Sequence, residues 1–103
     1  MKFYRCPAMG CGRVYNSVIG LRRHYKKKHS EWCFVCNRRF SNPGALTRHA
    51  LYCAMRDPED RKHLALYALS IARKHVRGRQ KYEHLYLQGL NALEELTEVR
   101  EEG

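Results

Sequence analysis

Apolar residues in the second half of the chain recur at helical spacing. Intervals of three and four residues predict a helix from about Arg79 to Val99 with an apolar stripe, and Leu87 and Leu90 lie off this stripe. The stripe comprises Tyr82, Leu85, Gly89, Ala92, Leu96 and Val99. A preceding helix, predicted from about Pro58 to Val76, is apolar on more than one side, through Leu64, Leu66, Tyr67, Leu69 and Ile71. Gly78 marks the break between the two helices.

In the first half, apolar residues instead keep matching distances from cysteines and histidines. One set comprises Tyr4, Tyr15 and Leu21, and the corresponding set further along comprises Phe40 and Leu46. Each set suits a miniature core in a unit of about 25 residues, which is too short to bury enough surface to fold alone.

The cysteines and histidines of this half form two groups of four with the same inner spacing. The first group is Cys6, Cys11, His24 and His29, and the second is Cys33, Cys36, His49 and Cys53. In both groups, twelve residues separate the second cysteine from the first histidine. That spacing is typical of a zinc site in which a hairpin supplies two thiolates and a helix supplies the other two ligands.

On these residues, the segment 4–53 resembles two tandem C₂H₂-type zinc fingers, the second being a Cys-Cys-His-Cys variant. The resemblance implies a small α+β fold, with two ββα fingers followed by a C-terminal helical hairpin. It also implies two zinc ions per chain, whose binding supplies folding energy. We expect the second site, with three thiolates, to hold its zinc longer than the first.

Helix caps set the boundaries of the units. The finger helices are predicted over about Ser17 to His29 and Asn42 to Cys53, and Asn42 followed by Pro43 fixes the second start. Asp57 before Pro58 gives the first tail helix a similar start. We therefore divide the chain into finger 1 (residues 1–29), finger 2 (30–55) and a helical tail (56–103).

A disulfide framework is the alternative use of the cysteines. Their odd count, five, and the lack of an apolar leader in residues 1–5 argue against it. We therefore expect a reducing intracellular compartment: the nucleus of a eukaryote, or the host cytoplasm and nucleoid for an archaeal or viral protein. No stretch approaches the roughly 20 apolar residues that span a bilayer, so no membrane association is expected.

The excess positive charge is confined to the fingers. Residues 1–53 hold eleven lysines and arginines against one acid, Glu31, whereas residues 54–103 hold nine basic and nine acidic residues. A basic surface on a finger scaffold indicates a polyanionic partner, most often nucleic acid. A solvated face that only aids solubility is the alternative, and so strong an asymmetry disfavours it.

The resemblance also implies which positions face DNA. In such fingers the helix enters the major groove, and residues at its start, in its first turn and just before the first histidine face the bases. The candidates are Ser17, Gly20, Arg23, Asn42, Ala45 and Arg48. Arg23 and Arg48 can each bind guanine O6 and N7 bidentately, whereas Ser17 and Asn42 can also be occupied as helix caps.

Phosphate contacts have more candidates than base contacts: Arg13, Arg22, Lys26, Lys27, Lys28, Arg38 and Arg39. We therefore expect strong salt dependence with modest sequence discrimination. Only Ser30, Glu31 and Trp32 separate the two fingers, which is shorter than the linker of familiar DNA-reading arrays. This linker predicts a shortened first strand in finger 2 and fingers packed rigidly around Trp32.

The tail has more apolar surface than a lone hairpin can bury. We expect residues 58–99 to form a homodimer, with docking of the hairpin on finger 2 as the alternative. A basic cluster around Gly78 can contact phosphates, stabilise the C-terminal end of the first tail helix, or do both. The cluster comprises Arg73, Lys74, Arg77, Arg79 and Lys81. Three histidines without cysteines at ligand spacing are expected on the surface or in packing: His63, His75 and His84.

The favoured function is zinc-dependent binding of double-stranded DNA by a small transcription regulator. The alternatives are a protein-interaction adaptor and an RNA-binding module in which an exposed Tyr25 and Trp32 stack on bases. An enzyme with a small-molecule substrate is not expected, because four protein ligands fill each zinc shell. The plan of two short-linked fingers and a helical tail resembles small stand-alone regulators from archaea or their viruses.

Overall fold

The computed structural model describes residues 2–57 and 59–99, and it begins with a ββα unit. Strand β1 (Phe3–Arg5) pairs antiparallel with β2 (Val14–Tyr15), so that Tyr4 lies opposite Tyr15. Helix α1 (Val18–Lys28) follows and buries Leu21 and Tyr25 against this hairpin and its neighbours.

A second ββα unit follows after the short linker. Strands β3 (Trp32–Cys33) and β4 (Arg38–Arg39) form a two-stranded sheet, and helix α2 (Pro43–Arg56) packs beside it. The first strand has only two residues. The structure thus contains the two predicted finger units, and the first strand of the second one is short as predicted.

Side-chain caps begin both finger helices where the sequence predicts. The Ser17 hydroxyl accepts a 3.0 Å hydrogen bond from the Gly20 N–H, and the Asn42 amide oxygen accepts one of 2.8 Å from Ala45. These bonds satisfy backbone donors that the first helical turn leaves unpaired. Helix α2 ends at Arg56 rather than at Cys53, so it is one turn longer than predicted.

The tail helices are shorter than the apolar pattern predicts. Pro58 lies outside the described residues, and α3 (Arg61–Ser70) starts on Asp60, whose carboxylate accepts a 3.0 Å bond from the His63 N–H. The helix ends six residues before Val76, because Ile71 adopts an extended backbone with ψ 143°. A 3₁₀ turn over Arg73–His75 follows.

Beyond that turn, Gly78 has a φ of +78°, a value that L side chains rarely adopt, although the break between the two helices begins earlier than predicted, at Ile71. Helix α4 (Gln80–Thr97) then runs back along α3. Its predicted last residues instead form strand β5 (Glu98–Val99), which pairs antiparallel with β1. The first finger's sheet therefore has three strands in the order β2-β1-β5, and the third belongs to the tail.

Helix α3 lies at the centre of the protein. Every residue from Leu64 to Leu69 is buried, because α3 packs against α4, α2 and α1. Gly89 of α4 allows the closest approach, since a β-carbon there would overlap the Leu64 carbonyl oxygen. The close helix contact at Gly89 is thus made within one chain, and the hairpin docks on both finger helices. Among the described helices, none is long and apolar enough to cross a membrane.

Tyr25 corrects one prediction. It was expected to be exposed, but its side chain is completely buried, and its hydroxyl donates a hydrogen bond to the Trp32 carbonyl oxygen. This bond fixes the two fingers relative to each other, and Tyr25 cannot stack on a nucleic-acid base.

Candidate metal centres and nucleic-acid interface

The first metal centre contains all four predicted residues. The hairpin between β1 and β2 carries Cys6 and Cys11, and α1 with its C-cap carries His24 and His29. One ligand atom of each lies within 4.8 Å of those of the other three. Cys11 Sγ is 3.3 Å from His24 Nε2. This arrangement can supply two thiolates and two imidazoles to one tetrahedral ion.

The second centre gathers a different set from the predicted one. Its members are Cys33, Cys36, His49 and His63, whose ligand atoms also lie within 4.8 Å of one another. Cys36 Sγ lies 3.4 Å from Nε2 of His49 and 3.4 Å from Nε2 of His63. His63 comes from α3, outside the finger.

Cys53, the fourth ligand predicted for this centre, lies outside the cluster. Its Sγ is 3.8 Å from His49 Nδ1, whereas the other ring nitrogen of His49 faces Cys36. The place next to the two thiols is occupied by a side chain that tertiary packing brings from α3. With two thiols in each cluster, the three-thiolate basis for expecting the second site to hold its zinc longer than the first is absent.

His63 was predicted to be a surface or packing residue because no cysteine stands at ligand spacing from it. The packing of α3 on α2 is what brings His63 beside the two thiols. One local signal exists in the sequence: Asp60 and His63 are three residues apart at a helix start, which lets the carboxylate contact the ring. His75 and His84 are exposed, as predicted.

Burial sets the protonation of the metal-free ligands. It raises the pKa of the Cys6 thiol to about 12 and that of Cys33 to about 11, with the neighbouring thiols contributing. Burial also lowers the pKa of His24, His29 and His49. The imidazoles are therefore neutral and ready to donate a lone pair, while Cys6 and Cys33 must lose protons on binding a metal.

Zinc fits both clusters. Two thiolates and two imidazoles form a preferred tetrahedral zinc shell. His29 Nε2 is buried and has no hydrogen-bond partner among the described residues, a costly arrangement that a bound cation would relieve. When bound, zinc supplies folding energy through four coordinate bonds at each centre and leaves no open position for water.

The predicted base-facing positions lie on accessible parts of the two finger helices. Ser17, Arg23, Asn42 and Arg48 are exposed, whereas Gly20 and Ala45 are partly buried. Ser17 and Asn42 are engaged as helix caps, as their alternative role predicted. Arg23 and Arg48 directly precede the first histidine of each finger. They are the two long polar side chains that α1 and α2 present in equivalent places.

Most of the predicted phosphate contacts are also on the surface. The exposed ones are Arg13, Lys27, Lys28, Arg38 and Arg39. Arg39 forms a 3.3 Å ion pair with Glu31, and the Arg38 guanidinium lies 5.6 Å from the centre of the Phe40 ring. Lys26 is partly buried, and burial together with nearby Arg22 and Lys74 lowers its pKa.

Arg22 has a structural role in place of the predicted phosphate contact. Its Nε and Nη2 donate hydrogen bonds to the carbonyl oxygens of Ala68 and Ile71, at 2.7 and 2.9 Å. Its guanidinium also lies 5.0 Å from the centre of the Tyr86 ring. Arg22 thus satisfies carbonyls at the C-terminal end of α3, a role that the basic cluster around Gly78 was thought able to fill.

Part of that basic cluster lies beside finger 1. Arg73 lies close enough to Arg22, and Lys74 to Lys26, for each to disfavour the neighbouring positive charge. Arg73 and Lys74 are exposed. The basic surface of α1 therefore continues onto the tail. Sequence reasoning identified both groups of charges but could not show that they adjoin.

A comparison with known families covers all four residues of the first metal centre and three of the four residues of the second. Residues 4–29 and 33–52 match the family described as "Zinc finger, C2H2 type". The second match ends one residue before Cys53 and does not include His63. Neither the curated proteins nor the solved structures contain a significant match to the chain.

Proposed function

We propose that these two zinc fingers of the C2H2 type bind double-stranded DNA, with α1 and α2 in the major groove, and that the protein regulates transcription. Fingers of this type commonly bind nucleic acid. The observation that carries the proposal is the equivalent exposure of Arg23 and Arg48 while the tail is docked. The tail packs on other faces of these helices, including the face that carries Arg22.

Each arginine supplies recognition of one base. A guanidinium can donate two hydrogen bonds to guanine O6 and N7, which discriminates against other bases by about 1–3 kcal/mol. Gly20 offers no side chain to a base, and Ala45 offers only a methyl group. The proposal therefore predicts a preference for about one guanine per finger rather than a fully specified sequence.

Electrostatics supports a polyanionic partner. The formal net charge is +10, and its excess lies in the two fingers. Arg73 and Lys74 approach Arg22 and Lys26, so like charges adjoin on this surface. Such a surface is stabilised when phosphates neutralise it, and counterion release then makes binding steeply dependent on salt.

The test is selection of the zinc-loaded protein on randomised duplex DNA, followed by affinity measurements over a salt series. Arg23→Ala and Arg48→Ala should each relax the preference at one guanine and cost about 1–3 kcal/mol. Lys27→Ala is the matched control: it should weaken all duplexes equally and reduce the salt slope by about 1. A steep slope without any enriched sequence would contradict sequence-specific recognition.

A protein-interaction adaptor is the second candidate function. Ile19 is 65% exposed and Leu87 is 51% exposed, and both line a groove between α1 and α4. These side chains could contact an apolar partner without using Arg23 or Arg48. Loss of partner binding in Leu87→Gln with unchanged DNA affinity would favour this function. The RNA alternative has less support, because Tyr25 is buried.

The homodimer through residues 58–99 remains a proposal, but fewer exposed apolar side chains support it than the sequence suggested. The apolar residues of α3 that suggested it are buried within the chain, and among the described α4 residues Leu87 and Leu96 are still well exposed. A molar mass that rises with concentration in light scattering supports a dimer, whereas a constant monomer mass rejects it. The proposal also includes a reducing intracellular compartment, because the thiolate ligands must stay reduced. It further includes a lack of catalysis, because four protein ligands fill each zinc shell.

A further inference from the structure

We infer that His63, from the tail helix α3, is the fourth ligand of the second zinc site, and that Cys53 is not a ligand. A zinc ion would then join finger 2 directly to the tail. The family match ends before His63, so this ligand lies outside the finger as the family defines it. The inference concerns the metal centre alone and does not depend on the partner that the protein binds.

The distances favour His63 over Cys53. His63 Nε2 lies 3.4 Å from Cys36 Sγ and 3.9 Å from Cys33 Sγ, so one nitrogen faces both thiols. The rings of His49 and His63 are 5.1 Å apart and nearly perpendicular, and both direct Nε2 toward Cys36. Cys53 instead lies beside Nδ1 of His49, on the opposite edge of that ring. An ion that binds His49 through Nε2 is therefore on the far side of the ring from Cys53.

Asp60 holds the His63 ring in the orientation that ligation requires. Its Oδ2 lies 2.5 Å from His63 Nδ1, and its Oδ1 accepts the His63 backbone N–H at 3.0 Å. If Nδ1 donates to this carboxylate, the Nε2 lone pair is directed at the thiols. A carboxylate behind a histidine is the usual outer partner of a zinc ligand.

Ligation by His63 makes the docking of the tail part of zinc binding. His63 stands at the start of α3, and the seven buried residues from His63 to Leu69 form the centre of the protein. Zinc at this site closes the segment from His49 to His63 and holds α3 on α2. Because binding free energy is shared with folding, removal of this zinc weakens tail docking as well as finger 2.

Thiol alkylation distinguishes His63 from Cys53 as the fourth ligand, because a zinc-bound thiolate is protected from alkylation. In the structure Cys36 is exposed and Cys53 is only partly so, which means that accessibility alone would make Cys36 the more reactive thiol. With both zinc ions bound, we expect alkylation at Cys53 and protection of the other four cysteines, as located by peptide mass spectrometry. Protection of Cys53 to the same degree as Cys36 would overturn the inference.

Cobalt substitution counts the thiolates directly, because thiolate-to-cobalt charge-transfer absorption grows with each bound sulfur. Cys53→Ser should leave this absorption unchanged, whereas three-cysteine ligation predicts a loss of about one fifth for two filled sites. His63→Cys retains a ligand and should raise the absorption by about a quarter. A loss in Cys53→Ser, or no gain in His63→Cys with both sites filled, would overturn the inference.

Asp60→Asn tests the positioning role. Asparagine still caps the helix, so α3 keeps its start, but it lacks the carboxylate charge behind the ring. We expect zinc affinity to fall about 10–100-fold at the second site only, measured by chelator competition with the first site as internal control. Unchanged affinity at the second site would show that Asp60 only caps the helix and would remove its positioning role.

Discussion

Arg22 Nε donates a 2.7 Å hydrogen bond to the carbonyl oxygen of Ala68, which joins the helix of finger 1 to the end of α3. The neighbouring Arg23 is exposed and has no described side-chain hydrogen bond. Two consecutive arginines of one helix therefore have separate tasks. Arg22 holds the tail on the finger, whereas Arg23 faces the solvent where the proposed DNA would bind.

Replacement of Arg22 should destabilise the protein, whereas the same replacement of Arg23 should have little effect on its stability. Arg22→Gln removes two bonds from a charged donor to backbone carbonyls, for which we expect a loss of about 2 kcal/mol in the free energy of unfolding. Denaturant unfolding of the zinc-loaded protein measures this. Arg23→Gln is the control and should stay within about 0.5 kcal/mol of the parent. Equal losses for both variants would contradict the structural role of Arg22.

Any side chain at Gly89 should disturb the contact between α4 and α3. A β-carbon would overlap the Leu64 carbonyl oxygen and touch the Ala68 methyl group. Gly89→Ala should therefore cost about 1–3 kcal/mol, even though alanine favours a helix. Asn91→Ala, at an exposed position of the same helix, should be neutral or slightly stabilising. Thermal unfolding of the two variants compares them, and a more stable Gly89→Ala would show that the helices are not in close contact.

Zinc affinity should fall as the pH is lowered. The raised pKa values of Cys6, about 12, and Cys33, about 11, keep both thiols protonated at neutral pH in the metal-free protein. Each zinc must displace such a proton, so apparent affinity should drop about tenfold per pH unit for every thiol proton released. The lowered pKa values of His24, His29 and His49 keep these imidazoles neutral, so they add no proton release near neutrality.

Chelator competition at several pH values measures that slope at each site. Cys53→Ser should give the same slope as the parent if His63 is the ligand. An apparent zinc affinity that stays constant with pH would show that the thiols are already ionised in the metal-free protein.

Basic residues of the tail should contribute to DNA affinity without affecting sequence preference. Arg73 and Lys74 are exposed and adjoin the basic face of α1. Arg73→Gln with Lys74→Gln should weaken binding to every duplex and reduce the salt slope by up to about 2, since each phosphate contact adds about 0.9. Lys62→Gln, on the exposed side of α3, is the control for loss of charge alone. A double variant no different from this control would place the DNA away from the tail.

Features that depend on local spacing could be predicted from the sequence. The caps at Ser17 and Asn42 and the four residues of the first centre lie within single ββα units. Within such a unit, the spacing along the chain determines which side chains lie close together. Gly78 was also recognised, since glycine readily adopts the positive φ of +78° found there, although the break between the two helices begins at Ile71. These predictions needed no knowledge of how distant segments pack.

Features that depend on packing between units could not be predicted. His63 reaches the second centre only because α3 lies on α2, and Cys53 has the spacing of a ligand without lying beside the thiols. Tyr25 looked like a surface residue because the linker that covers it belongs to the next finger. The helix pattern extended to Val99, whereas pairing with β1 gives the last two residues an extended conformation.

Strand β5 has a consequence for engineering. Zinc fingers of tandem arrays are treated as interchangeable parts, each cut at its linkers and moved to a new context. Here the first finger's sheet is completed by Glu98 and Val99 from the other end of the described chain, and its helix is fastened to α3 by Arg22. Excision of residues 1–29 would leave behind an edge strand and the helix that covers one face. The two fingers and the tail must therefore be moved together, as one structural unit.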